Sequence, residues 1–224
     1  MNFFSWGKIN FKRMFRYAVG LFVMNIGIAL SIKSNLGSTP VVAVPYAISL
    51  ITSVDLGYCN MIFQGFLVLV ELILLGRAFK PKHFLQFFVG VIFGIFTSLS
   101  MFILSFLPLA NSLTFQIIFL ISGIVLLAFG LFLYVPMNAV PVSVDGVTQA
   151  LAILTNQSFA KTKIIFDISM ISISLIVLFT FTGHINGSVG IVTIIAAVSI
   201  GATVKLINIV YAKISGNEAD LKKM

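Results

Sequence analysis

The sequence predicts an all-α, polytopic transmembrane helical bundle with six spans, two re-entrant or interfacial half-helices and a 3+3 inverted repeat. Three observations lead to this prediction. The 224-residue chain is 59% hydrophobic and only 9% charged, with a mean hydropathy of +1.14, whereas a soluble domain carries about 25% charged residues. Its apolar runs are long enough to cross a bilayer. Its second half also resembles its first half when the sequence is shifted by 103 positions.

Six apolar runs approach the ~20 residues that a helix needs to cross ~30 Å of hydrocarbon. They cover residues 15–32, 60–76, 84–107, 114–135, 164–182 and 188–210. Two shorter apolar stretches, 40–54 and 139–154, each follow the first span of one half. Residues 1–14 mix aromatic and basic side chains and are expected to lie in the membrane interface; a frayed tail is the alternative. Residues 215–224 form a polar C-terminal tail.

The positive charges predict the orientation. With six spans and an inner N-terminus, 13 of the 14 Lys and Arg residues lie inside and only Lys33 lies outside, as the positive-inside rule requires. If the stretch 40–54 crossed the membrane, alone or together with 139–154, the basic cluster at 77–82 would be left outside. Both stretches are therefore predicted to return to the side they left, with both termini in the cytoplasm. Topology also accounts for the net charge of +8, so no nucleic-acid partner is expected.

The internal repeat predicts a single integral membrane domain, residues 1–224, built from two related halves. At the 103-residue shift, Gly27 aligns with Gly130 and Thr52 with Thr155. Because each half then has an odd number of spans, the second half enters from the opposite face, as in many secondary transporters. The two repeats cover about residues 15–107 and 118–210.

Proline and small polar residues interrupt the chain after the first span of each half, at 34–40 and at 134–146. Proline disfavours helix in the residue before it, and Ser or Thr readily caps a new helix. A half-helix is therefore predicted to start near Thr39 and another near Ser143. Helix N-termini at membrane depth attract polar or anionic groups; ordinary surface loops are the alternative. The predicted substrate-binding residues are Asn35, Ser38, Thr39, Asn138, Ser143 and Asp145.

Acidic residues within spans are the candidates for ion coupling. A charge at the centre of a span costs about 3 kcal/mol, and Glu71 and Asp167 both lie in apolar runs. Together with Asp145, they are predicted to carry protons or to bind a cation. The alternative is that Glu71 and Asp167 reach the lipid headgroups or pair with Arg77 and Lys163, respectively, the second pair at the favourable i,i+4 spacing.

Motifs for other chemistries are missing from the sequence. The single cysteine excludes an internal disulfide, and two histidines far apart in the sequence do not suit a zinc cluster. No nucleotide-binding loop, nucleophile elbow or metalloprotease motif is present, so we expect no enzyme activity, metal or cofactor. The motif Gly90-x-x-x-Gly94 and the glycines between 187 and 201 predict close helix packing, either within the chain or in a homo-oligomer.

Most of residues 16–207 resembles the bacterial YczE/YyaS/YitT family of integral membrane proteins, and its YczE-type branch in particular. The resemblance rests on three runs: Arg16-Tyr17-x-x-Gly20-Leu21, Gly27-Ile28-Ala29-Leu30 and Asn35-Leu36-Gly37-x-x-Pro40. Members commonly have Trp-Asp after the proline, where this chain has Val41-Val42. The resemblance implies a multi-pass protein of the bacterial inner membrane, suspected to transport a substrate on which there is no agreement.

These observations predict a secondary transporter or permease-like carrier of an unidentified small solute, embedded in the lipid bilayer, with its site between the two broken helices. The alternative is a non-transporting membrane scaffold or accessory subunit for a partner protein, which the scarcity of polar residues within the spans favours. A water-accessible pocket at Asn35, Asn138 and Asp145 distinguishes the first from the second.

Overall fold

The computed structural model describes residues 11–108, 110, 112–137 and 139–183, together with positions 193, 199, 203, 206 and 207. All regular structure in this part of the chain is helical. The five long helices are α1 (Phe11–Lys33), α3 (Leu56–Leu75), α4 (Leu85–Ser105), α5 (Leu113–Tyr134) and α7 (Phe159–Thr182). The two short helices are α2 (Ala43–Thr52) and α6 (Ser143–Leu154). Apart from the five isolated positions, the predicted sixth span lies outside the described residues, as do residues 1–10 and the tail 215–224.

The five long helices are each long and apolar enough to cross a membrane. Large apolar side chains such as Ile73, Phe102 and Ile176 point outward from them, as expected of a surface that faces lipid. Two of these helices begin earlier than predicted because polar residues cap them. Asp55 accepts a hydrogen bond from the amide of Gly57 (2.9 Å), so α3 begins at Leu56, and Ser158 caps α7 in the same way.

The short helices α2 and α6 follow the two predicted breaks and are too short to span. A 3-10 turn, Pro40–Val42, precedes α2. Residues with positive φ follow both helices, Ser53 (φ 56°) after α2 and Asn156 (φ 52°) after α6. Near these ends the hydroxyls of Thr52 and Thr155 each donate to the carbonyl four residues earlier, at 2.8 and 2.7 Å. The two connections thus have closely similar local structures.

Glycines bring the antiparallel helices α1 and α5 into backbone contact. A Cβ added to Gly27 would lie 2.6 Å from the carbonyl oxygen of Gly123, and one added to Gly130 would lie 2.7 Å from that of Gly20. Side chains larger than hydrogen would therefore separate the two helices. The close approach predicted for the spans that carry Gly27 and Gly130 is present.

The predicted glycine motif of α4 packs within the chain. Gly90 faces Gln64 of α3, and a Cβ on Gly94 would lie 2.7 Å from the carbonyl oxygen of Gly57. These glycines therefore serve the antiparallel α3–α4 hairpin, which leaves them buried and unable to contact a second copy. The glycines between 187 and 201 lie outside the described residues.

The starts of the two short helices meet in the interior of the bundle. Val42 and Val142 belong to one buried apolar cluster, and Val44 and Val144 belong to another. The short helix α2 packs on α7, whereas α6 packs on α3. Each short helix therefore contacts a long helix of the other half of the chain.

Candidate functional site

Each short helix begins beside a buried hydroxyl group. Thr39, just before the turn that leads into α2, is 1% exposed, and Ser143, the first residue of α6, is 0% exposed. Neither hydroxyl has a hydrogen-bond partner among the described residues. An unpaired buried polar group costs about 1–3 kcal/mol, so such groups in a native protein mark sites for water or a ligand. Ser38 beside Thr39 is also buried.

Two tyrosines hold the second break in place. The hydroxyl of Tyr17 on α1 donates to the carbonyl of Val140 (2.6 Å), and the amide of Val142 donates to the hydroxyl of Tyr134 (3.1 Å). The two rings lie 5.4 Å apart. Helix α6 therefore starts from a loop whose backbone polar groups are satisfied by the ends of α1 and α5.

The first break is held by Ser31 of α1, by Ser34 just after α1, and by an unusual backbone conformation at Asn35. The Ser31 hydroxyl donates to the carbonyl of Gly37 (3.2 Å), and that of Ser34 donates to the carbonyl of Ser31 (2.6 Å). Asn35 has φ 57° and is exposed, in a conformation that Asn tolerates better than most residues. Asn35 thus turns the chain, and its side chain lies away from the buried hydroxyls.

An ion triplet joins α6 to α7. The ammonium of Lys163 lies 3.2 Å from the Asp145 carboxylate and 3.0 Å from the Asp167 carboxylate. The predicted pairing of Lys163 with Asp167 is therefore confirmed, and Asp145 joins it from the neighbouring helix. Asp145 lies in the first turn of α6, where the helix dipole stabilises a negative charge. The triplet is partly exposed.

Glu71 pairs with a histidine that the sequence did not single out. The Oε1 atom of Glu71 lies 2.8 Å from Nδ1 of His83, and both side chains are buried. The predicted pairing of Glu71 with Arg77 is wrong. Helix α3 ends at Leu75, and Gly76 (φ 47°) turns the chain so that Arg77 is exposed. The α3–α4 hairpin instead returns His83 to the level of Glu71.

A small cleft opens beside this pair. Its volume of about 20 Å³ is room for one water molecule, so no larger solute fits in this conformation. The cleft is lined by Glu71, Leu75, His83, Gln86, Pro141, Gly146, Gln149, Ala150 and Ile153. Pro141 and Gly146 belong to the second break, but neither Asn35 nor Asp145 lines the cleft, so it is not the pocket predicted at those two residues.

Further polar side chains lie buried where α3 meets α4 and α1. The Asn60 amide donates to the Thr97 hydroxyl (3.0 Å), and that hydroxyl lies 2.7 Å from the Asn25 side-chain oxygen. Gln64, one turn along α3, is 0% exposed, and its amide has no partner among the described residues. Hydrogen bonds at Thr97 therefore link α1, α3 and α4, and one turn further along α3 the Gln64 amide has no partner among the described residues.

The predicted site residues that the structure describes fall into four places. Ser143 and Asp145 share the first turn of α6, where Asp145 reaches Asp167 through Lys163. Ser38 and Thr39 lie at the start of α2. Glu71 belongs to a separate pair with His83. Asn138 lies outside the described residues, and Asn35 is at the surface.

Sequence reasoning missed His83 and Gln86 as neighbours of Glu71, and Lys163 as a partner of Asp145. A hairpin closed at residues 76–84 places position 83 opposite position 71, and that signal was in the sequence. The contact between Asp145 and Lys163 depends on how α6 lies against α7, for which the sequence offers no comparable signal. No cluster of three or more His, Cys, Asp or Glu side chains suited to a metal occurs in the described part of the chain.

Five apolar spans and buried polar groups at two helix breaks define a membrane-embedded helical protein. The chain belongs to the DUF6198 family, a family of unknown function whose model matches residues 11–209. No curated protein and no solved structure matches the chain.

Proposed function

We propose that this protein is a secondary transporter or permease-like carrier of a small solute, which binds between the starts of α2 and α6. One observation carries the proposal: the buried hydroxyls of Thr39 and Ser143 lack partners among the described residues, at the starts of two short helices that converge in the interior. Irregular backbone at membrane depth persists where protein covers it or a cavity hydrates it. Discontinuous helices of this kind form the solute sites of many transporters.

The contacts between α1 and α5 support an inverted repeat. Gly20 faces Gly130, and Gly27 faces Gly123. An exchange of the two halves adds 103 to a position in the first half and subtracts 103 from a position in the second half. It therefore maps Gly20 onto Gly123 and Gly130 onto Gly27. The first contact therefore becomes the second, as a two-fold axis between the halves requires.

The contacts of the short helices obey the same exchange. The Ser174 hydroxyl of α7 donates to the carbonyl of Ala43 at the start of α2 (2.8 Å). The equivalent positions are Glu71 and Gly146, and Glu71 indeed faces Gly146, since a Cβ there would lie 2.8 Å from Oε2. Rocking of one repeat against the other would open the interior to each side in turn.

The same plan includes the sixth span at 188–210 and a defined orientation. The basic end of the bundle, where Arg77, Lys80 and Lys82 lie, faces the cytoplasm by the positive-inside rule, and both termini lie there. The resemblance to the YczE/YyaS/YitT family supports a bacterial inner membrane as the location of the protein. It acts as a carrier there, without an enzymatic step.

The packed interior favours a second candidate, a membrane scaffold or accessory subunit. A cleft of about 20 Å³ admits a water molecule but no solute. A carrier closed to both sides would have the same interior, so the two functions differ in whether the breaks open.

Cysteine accessibility tests the carrier proposal. Starting from Cys59→Ala, single cysteines at Thr39, Ser143 and Asp145 are exposed in native membranes to an impermeant thiol reagent. Leu69→Cys on the outward face of α3 is the matched control, since lipid should shield it. We expect Thr39→Cys to react from the outer side, and Ser143→Cys and Asp145→Cys to react from the basic side.

The labelling pattern separates the two candidates. Reaction at both breaks from opposite sides, faster than at the control, agrees with alternating access. If neither break reacts above the control, or if both react from the same side, the carrier proposal fails and the scaffold is favoured. A position that reacts is then used to screen solutes for protection.

A further inference from the structure

We propose that the Glu71–His83 pair is a proton-binding site that controls how α6 sits on α3 and α4. The inference rests on the proposed carrier and deepens it, because it assigns the proton as the coupling ion. The site lies at the basic end of the bundle, apart from the triplet around Asp145.

The pair is built to hold protons away from bulk water yet within reach of it. Glu71 is 2% and His83 8% exposed, and their Oε1 and Nδ1 atoms are 2.8 Å apart. The cleft beside them holds about one water molecule (20 Å³). A proton can therefore enter from one side without passing through the apolar core.

Helix α6 packs directly on this pair through a glycine. A Cβ added to Gly146 would lie 2.3 Å from Oε1 of Gln86 and 2.8 Å from Oε2 of Glu71. The glycine is therefore required for α6 to approach the carboxylate this closely. A change in the charge or position of the Glu71 carboxylate therefore directly affects the first turn of α6.

Few other charges face the pair. Among the described residues that line the cleft, Glu71 and His83 are the titratable ones, and α6 contributes Gly146 and Gln149. Asp145 of the same helix is instead paired with Lys163. The basic residues of the α3–α4 connection are exposed or partly exposed: Arg77, Lys80 and Lys82.

Charge counting gives the direction of the effect. With one proton shared between Glu71 and His83, the pair is neutral overall. A second proton leaves a neutral carboxyl beside an imidazolium, so the pair gains one positive charge. The N-terminal end of α6 carries a partial positive charge from its helix dipole, which a positive charge on the pair repels. The second proton therefore loosens the contact between α6 and the α3–α4 hairpin.

The equivalent contact in the other half cannot respond in this way. There the Ser174 hydroxyl donates to the carbonyl of Ala43 (2.8 Å), and a serine does not titrate. Of the two contacts that are equivalent in the two halves, the one at Glu71 thus responds to protons and the one at Ser174 does not. Such an asymmetry would let proton binding bias the movement of one repeat.

Distance measurements on the full-length protein in lipid nanodiscs test the proposal without any solute. On the Cys59→Ala background, spin labels are placed at Ile73 of α3 and Leu154 of α6, which are both exposed. The control pair, Ile51 and Ile176, occupies the equivalent positions of α2 and α7. Electron-spin resonance then gives each distance across a pH titration.

We expect the distance between Ile73 and Leu154 to increase as the pH falls, while the control pair stays constant. Glu71→Gln should move the transition to higher pH, because a single proton on the pair then gives the positive charge that otherwise requires two. Glu71→Gln combined with His83→Gln should abolish it, and Asp167→Asn should leave its midpoint unchanged. If size-exclusion chromatography shows that the double variant does not fold, the shift in transition pH in Glu71→Gln decides whether the proposal stands.

The outcomes separate this inference from the proposed function. A constant distance at all pH values, or a transition that persists unshifted in Glu71→Gln, overturns the proton site even if the cysteine labelling supports a carrier. A transition that depends on Glu71, together with no labelling at the breaks, keeps the proton site and rejects the carrier.

Discussion

At the scale of single residues, Thr97 joins three helices through one hydroxyl group. Its hydroxyl accepts a hydrogen bond from the Asn60 amide (3.0 Å) and lies 2.7 Å from the side-chain oxygen of Asn25. Asn25 is 0% exposed. Hydrogen bonds between helices in a membrane average about 0.6 kcal/mol, but loss of a partner in a dry interior leaves an unsatisfied group. The hydroxyl therefore matters more through what its loss exposes than through its own bonds.

We predict that Thr97→Val destabilises the protein by about 1–3 kcal/mol, because its neighbours lose their partner while the side-chain volume is unchanged. Thr97→Ser, which keeps the hydroxyl, is the matched control and should cost less. Thermal unfolding in detergent, followed by the fraction that remains monodisperse, measures both. Equal stability of Thr97→Val and the wild type would mean that Asn25 and Asn60 find other partners.

Residue contacts were predictable from the sequence where they are local. The pairing of Lys163 with Asp167 follows from one turn of helix, and the structure confirms it. The alternative pairing of Glu71 with Arg77 is wrong because a turn brings His83 back to Glu71, although Arg77 is nearer in the sequence. The contact of Asp145 with Lys163 requires the packing of two helices, which no local spacing encodes.

At the scale of secondary structure, glycines set the distance between α1 and α5. A Cβ on Gly130 would lie 2.5 Å from the backbone nitrogen of Met24, and a backbone atom cannot move aside as a side chain can. Gly65 offers a contrast, because a Cβ there first meets the Phe87 ring, at 3.3 Å. The ring of Phe87 is half exposed and free to shift.

We predict that Gly130→Ala destabilises the bundle by about 1–3 kcal/mol or more through overpacking. Gly65→Ala should be neutral or stabilising by up to about 1 kcal/mol, because alanine favours helix over glycine. The two variants are compared by thermal unfolding in the same detergent. A Gly130→Ala protein as stable as Gly65→Ala would show that α1 and α5 can separate at no cost.

The helices themselves were largely predictable, because apolar runs and prolines act locally. Five spans and both short helices lie close to their predicted places. The early starts of α3 and α7 came from polar caps, Asp55 and Ser158, which hydropathy does not register. Which helices would lie side by side depended on long-range packing, and the glycine alignment indicated only the pair α1 and α5.

At the scale of the whole molecule, the two halves of the chain are interlocked. Helix α1 packs on α5, α2 on α7 and α3 on α6, so each of these contacts joins residues before position 108 to residues after it. The segment between α4 and α5 is short, and its described residues are exposed except for the buried Ala110. The halves are therefore expected to stabilise each other through packing, with little contribution from the link between them.

We predict that the protein tolerates a break in this link. Fragments 1–108 and 109–224, expressed together, should co-purify through a tag on one of them, because the helix contacts between the halves remain intact. Each fragment alone should aggregate or be degraded, since α1, α2 and α3 would lose their partners. A break after Leu120, inside α5, is the control and should abolish assembly. A monodisperse, helical 1–108 fragment on its own would contradict the interlocked arrangement and, with it, the exchange of contacts on which the inverted repeat rests.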